Sequence, residues 1–269
     1  MHKYSYTKEG GNEGRSNAWR GIDVEAMAYD SRMGSYFRWS PFQHGWTNLT
    51  ADGSNGVATL VEATTGAAIV NASVEGGWVQ VDSESSTDNQ GAALFFPGTI
   101  VMPAADRTIV LKGILRARDI ATAGMQGFFG LVLSSVATAP VTADAPAAGA
   151  TDYIGVYTTG NTGTLNKMYF AAEDGGTQSL STVAFHTLVD GDVTTDGSEI
   201  FKVEIRVNGT QSLELWIDGV KMEHDVAASA IPEGTALRLA ISCVASATVD
   251  PILEFKELEL ASVPGVWGP

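Results

Sequence analysis

The chain has 269 residues, 44% hydrophobic and only 17% charged, with a formal charge of −15. That excess of acid argues against a nucleic-acid partner, whose phosphates need Lys and Arg to neutralise them. The single cysteine, Cys243, excludes an internal disulfide, and no stretch approaches the roughly 18 apolar residues of a membrane-spanning helix.

Charge is unevenly placed along the chain. Residues 1–38 hold six basic and five acidic side chains, whereas residues 39–269 hold ten and 26. The first segment carries a breaker cluster at Gly10–Gly14 and aromatics scattered among polar residues, with one short helix expected at Ile22–Tyr29. Its apolar pattern is too poor to fold alone and its aromatic content too high for a simple tail. An extended N-terminal arm that orders against a partner is expected, followed by one β domain over residues 39–269. Met1–Tyr6 lacks the apolar core of a secretory signal, so synthesis and assembly in a cytoplasm are expected.

From residue 39 onward the chain reads as strand after strand. Strands are expected at Ala58–Glu62, Ala67–Ala72, Gly77–Val81, Ala92–Phe96, Arg107–Arg116, Gly127–Ser134 and Tyr153–Thr158. They continue at Lys167–Ala172, Thr182–Leu188, Ile200–Val207, Leu213–Ile217, Ala236–Val244 and Ile252–Leu260. Gly, Pro, Asp or Asn separates most of them, at the spacing of a sandwich or barrel. One helical turn is expected at Val226–Ile231. Residues 137–151 are small and weakly hydrophobic and read as a surface excursion.

Two stretches are informative in detail. Phe201, Val203, Ile205 and Val207 alternate with Lys202, Glu204 and Arg206, giving a buried and a wet face. Asn208-Gly209, then Leu213, Leu215 and Ile217, then Asp218-Gly219 and Val220–Met222 complete a three-stranded meander. In the last strand, Leu253 and Phe255 fall on one parity and Leu258 and Leu260 on the other. A bulge at Lys256-Glu257 restores the phase and sends Glu257 and Glu259 to solvent.

Catalytic machinery is not legible. The four histidines are far apart, no His-Glu-x-x-His or paired cysteines could hold zinc, and no nucleophile elbow or Walker loop is present. Glycoside hydrolysis needs two carboxylates across a cleft. The nearest sets, Asp82/Glu84 and Glu254/Glu257/Glu259, read as a polar turn and a solvated strand edge. No cofactor is expected, with calcium left open: Asp190, Asp192, Asp196 and Glu199 crowd one loop, and Glu173–Gly176 form another. Those acids are equally the turn residues of an anionic β protein. Trp216 sits opposite the buried parity of its strand and Trp78 shares a parity with Gln80; they either stack on sugar rings, or cover a subunit interface or pack under the arm.

The segment Phe201–Val220, ending in Trp216-Ile217-Asp218-Gly219-Val220, resembles the recurring hairpin of the concanavalin A-like, or laminin-G-like, jelly-roll superfamily. Tyr153–Tyr157, Met168–Gly176, Leu237–Ala245 and Leu253–Leu260 extend the likeness over about residues 50–261. The resemblance implies an all-β jelly-roll sandwich of two antiparallel sheets. Within that superfamily the chain is similar to capsid decoration, or cement, proteins of tailed bacteriophages. This implies a homotrimeric structural virion protein on the capsid surface, assembled in the host cytoplasm, whose partner is the major capsid protein. Aromatic and Arg residues carry much interface energy, so the residues that would bind it are Trp19, Arg20, Tyr36, Phe37, Arg38 and Trp39. The alternative is a carbohydrate-binding module of a phage fibre or host-attachment protein, using Trp216 and Trp78.

Overall fold

The computed structural model of the chain describes residues 34–40, 49, 53–55, 57–62, 69–72, 77–83, 90–120, 124–136, 138–142, 145–146, 152–160, 166–188, 200–246 and 250–264. The strands, in chain order, are β1 (Ser35–Trp39), β2 (Gly53–Ser54), β3 (Thr59–Glu62), β4 (Ile69–Ala72), β5 (Val79–Asp82), β6 (Gly91–Val101) and β7 (Arg107–Arg118). Then follow β8 (Met125–Leu133), β9 (Val141–Thr142), β10 (Ala145–Pro146), β11 (Tyr153–Thr158), β12 (Lys167–Asp174), β13 (Thr177–Leu180) and β14 (His186–Thr187). The last five are β15 (Phe201–Asn208), β16 (Ser212–Ile217), β17 (Val220–Met222), β18 (Leu237–Ala245) and β19 (Ile252–Pro264). Among the described residues the one helical piece is a 3-10 turn at Ala228–Ala230, inside the stretch where a turn was expected.

Among the described residues, seventeen of these strands make two antiparallel sheets, and β9 and β10 pair with each other as a separate two-stranded ribbon. Sheet A runs β17-β16-β15-β7-β19-β5-β4, with β1 also paired to β19, and sheet B runs β13-β12-β11-β8-β18-β6-β3-β2, with β14 on β12. Alternation puts Leu111 and Leu115 of sheet A and Phe129, Leu131, Leu239 and Ile241 of sheet B into one core between the sheets. The sheets approach closely where sheet A carries Gly113: a Cβ there would meet the Phe129 ring at 2.5 Å. Glycine therefore makes room for an aromatic ring from the opposite sheet.

The meander forms as read, with Val203 opposite Ile217 and Ile217 opposite Val220. Gly209 takes φ 58° in its first turn, and Asp218 and Gly219 take 50° and 81° in its second. The bulge in β19 also lies where the phase required it, since Phe255 pairs with Leu115 while Glu257 pairs with the adjacent Ile114.

Four readings change. Ser35–Trp39 form a strand on β19, so the sandwich crosses the boundary drawn at residue 38, with Phe37 and Trp39 turned into the core. The expected strand Thr182–Leu188 shrinks to β14, and its neighbour Thr177–Leu180 pairs with β12 through the Gly175-Gly176 turn. Within the expected excursion at 137–151, Ala139 and Val141, with the preceding Val136, are buried against Phe95, Phe128 and Tyr153 on the outer face of sheet B. Small side chains suffice there because a flat sheet face already supplies the bulk. Glu259, expected in solvent, is 2% exposed because two cations close over it.

One open side of the sandwich is closed by residues 223–231, which cross from β17 to sheet B. His224 bridges the sheets, its ring nitrogen Nε2 on the Leu213 carbonyl at 3.0 Å and its ring edge-on to Phe170 at 4.8 Å. Asp225 accepts hydrogen bonds from the Thr182 amide and hydroxyl, which hold its carboxyl down at about 2.

Candidate functional site

The outer face of sheet A, turned away from the core, gathers residues nominated from distant parts of the sequence. Register places Lys221, Trp216, Glu204, Lys112, Glu259 and Arg38 side by side in one row across β17, β16, β15, β7, β19 and β1. At the usual interstrand spacing of about 4.8 Å, five steps make this row about 24 Å wide. The next row runs Glu214, Arg206, Val110, Ala261 and Tyr36. Trp216 of the first row and Val110, Ala261 and Tyr36 of the second form a small apolar cluster with Val263.

Beyond the β19 bulge, Glu254 lies in register with Arg116 on one side and Gln80 on the other. Its fully buried carboxylate is paired with Arg116, accepts from Gln80 Nε2 at 2.8 Å and meets Arg118 Nη1 at 3.3 Å. Arg116 also lies 4.4 Å over the Trp78 ring, and Lys256 approaches the same ring at 5.6 Å.

Lys112 Nζ is shared by Glu257 and Glu259, 3.3 Å from each, and Arg38 reaches the same two carboxylates at 3.2 and 3.7 Å. Burial works against ionisation of Glu257, yet its hydrogen bond with Glu259 and the charges of Lys112 and Arg38 outweigh that and hold its carboxyl below the usual range. Glu204, fully buried, meets the Lys202 ammonium at 3.6 Å. Lys221 binds Glu214 at 2.7 Å and stands 5.5 Å over the Trp216 ring.

Four of the nominated residues, Tyr36, Arg38, Trp78 and Trp216, thus share one face. Phe37 and Trp39 do not: Phe37 packs on Phe96 and Trp39 on Phe255 inside the sandwich. Trp19 and Arg20 lie outside the described residues, as do the segment 22–29, where a helix was expected, and the acidic stretch 190–199. Trp78 and Trp216 are only 3% and 5% exposed, with cations over their rings. Neither offers a bare ring for stacking; each is a platform that holds a cation in place.

In the second acidic loop, Glu173 is buried beside Gln178, and Gly175 donates its amide to Asp152 at 2.7 Å. Among the described residues no three His, Cys, Asp or Glu side chains converge to hold a metal. Glu254, Glu257 and Glu259 are each engaged by basic side chains, an arrangement unlike the acid and nucleophile of a glycosidase. What sequence reasoning missed is the basic partners. Lys112, Arg116 and Arg118 recur at even spacing on the wet parity of β7, and that alternation was the available signal.

No family model and no curated protein sequence matches the chain. Solved structures do. Peanut lectin with a bound nonapeptide is similar at 12% identity and a TM-score of 0.56, covering 85% of this chain and 98% of that one. Arcelin-5, a lectin-like defence protein from Phaseolus vulgaris, is similar at 9% identity and 0.53, covering 85% and 99%. The lectin from Bauhinia forficata in complex with GalNAc is similar at 12% and 0.51, covering 86% and 99%. The chain is therefore a concanavalin A-like jelly-roll sandwich. At this identity the likeness is one of fold.

Proposed function

We propose that the protein is a non-catalytic carbohydrate-binding module whose binding face is the outer side of sheet A. The observation that carries this reading is the convergence of Tyr36, Arg38, Trp78 and Trp216 on one continuous face of a lectin-type sandwich. The GalNAc complex of the Bauhinia lectin supports it as an instance of the same fold holding a sugar. Fold alone is a weak warrant for function, so the face has to carry the argument. Glycan-array binding of the intact chain, with at least a tenfold loss on Trp216→Ala, which takes the platform from under Lys221, is the expected result. Absence of binding to any glycan, or unchanged binding by that variant, overturns it.

A second reading rests on β1. Tyr36 and Arg38 reach the face through the strand that residues 1–34 lead into, so a partner engaging those residues would sit at this face. In this reading the protein is a capsid decoration protein, a homotrimer on the major capsid protein at the virion surface. Co-sedimentation with undecorated capsids, abolished by deleting residues 1–33, supports it; co-sedimentation of the truncated chain at full level removes it.

A further inference from the structure

The charges of the outer face of sheet A differ from those of the rest of the chain. Among the described residues, strand alternation and ion pairing give the face eight Lys or Arg side chains against six carboxylates, Asp82 being the sixth, a local charge of +2. With a total of −15, the remainder of the chain carries −17. Half of the chain's 16 basic residues lie on one side of one sheet.

Burial sharpens the contrast. Glu204, Glu254 and Glu259 are 0–2% exposed, so their charges are spent on neighbouring cations. The side chains of Arg38 and Lys221, at the two ends of the six-residue row, are 43% and 57% exposed. What the face presents outward is therefore cationic, with rings beneath that keep Lys221 and Arg116 extended along the sheet.

We infer that the ligand of this face is an acidic polysaccharide, one whose sugars carry carboxylates. The inference rests on the carbohydrate-binding reading above and names its substrate class. Three observations favour such a polymer. The two exposed cations, Arg38 and Lys221, stand at opposite ends of the row, about 24 Å apart at the usual strand spacing, a span that takes an extended chain rather than one sugar. The partners the cations already hold are carboxylates, in paired contacts such as Lys112 between Glu257 and Glu259. The remaining −17 does not forbid an anion here, because the Debye length is about 8 Å at physiological salt, well short of the width of the row. The outer face of sheet B holds one cation over a ring, Arg238 at 4.3 Å from Phe95, but its centre is apolar and covered by the turn that holds Val136, Ala139 and Val141.

The test is affinity electrophoresis and calorimetry of the full chain against polygalacturonate, neutral dextran and dextran sulfate. Polygalacturonate is expected to bind best, with affinity falling several-fold between 0.15 and 0.5 M salt, since ionic contacts are screened. The double variant Arg38→Ser/Lys221→Ser should lose at least tenfold in affinity. Both side chains are about half exposed, so its thermal unfolding should stay close to the parent's, and that measurement separates lost binding from lost fold. Binding of neutral polymer equal to polygalacturonate, or an unaltered double variant, overturns the acidic-ligand inference while leaving carbohydrate binding standing. Stronger binding of dextran sulfate replaces the carboxylate class with a sulfated one and overturns it as stated. No binding to any polymer, together with an empty glycan array, removes both.

Discussion

Replacing Glu254 with leucine isolates the energetics of the outer face of sheet A. The carboxylate is fully buried and serves Arg116, Arg118 and Gln80 at once. Removing it leaves two cations, with side chains only 16% and 10% exposed, without their shared counter-charge. Breaking a buried pair from one side costs about 3–5 kcal/mol, because a charge remains desolvated and unpaired. Arg116 can turn partly toward water, so the lower end, about 3 kcal/mol, is expected. Glu214→Leu is the control: its close partner Lys221 is 57% exposed, its contact with Arg206 is long at 4.0 Å, and exposed pairs contribute about 0.2–1 kcal/mol. Urea unfolding at pH 7, followed by tryptophan fluorescence, measures both. Adding Arg116→Met to Glu254→Leu should restore part of the loss, since one stranded charge is removed. If both single variants lie within 1 kcal/mol of the parent, or the second substitution deepens the loss, the cluster is not a desolvated ion network.

Two further predictions concern β1 and the crossing segment. Trp39→Ala should cost about 3–5 kcal/mol, the usual range for truncating a core tryptophan, while Arg38→Ala, half in solvent, should cost under about 1 kcal/mol; thermal unfolding of the pair decides. Burial pushes the His224 imidazole below its ordinary range against the opposing effect of its Leu213 hydrogen bond and Asp225, so the folded state prefers the neutral ring. The stability this gives is complete above about pH 6.5, the ordinary histidine value, and is lost as pH falls below it. His224→Gln should flatten that slope in unfolding curves from pH 7.5 to 5, and an unchanged slope assigns it to other groups.

Most of the sandwich was legible because its strands alternate. Phe201–Val207 and Leu213–Ile217 declared one wet and one buried face, and the phase slip between Phe255 and Leu258 located the bulge without any knowledge of its neighbours. β1 was not legible, since Ser35–Trp39 has aromatics on both parities; Tyr36 packs on the outside and Phe37 and Trp39 inside. Pattern counts cannot separate two apolar environments on opposite sides of a sheet. The burial of Ala139 and Val141 was hidden for a related reason, as small side chains are buried by the face they lie on. The site was half legible. Outward parity flagged Trp78 and Trp216, but that Arg116 and Lys221 would lie over them depends on strands adjacent in space and remote in sequence.

Hydrogen–deuterium exchange with and without polygalacturonate tests the central claim most directly, because it locates the binding face without mutating it. Slowed exchange in β16, β17 and β1, with sheet B unchanged, is the predicted result. Slowed exchange confined to β11 and β12, where Tyr157 stacks on a partly exposed Tyr169, would place the ligand on the other sheet and contradict it.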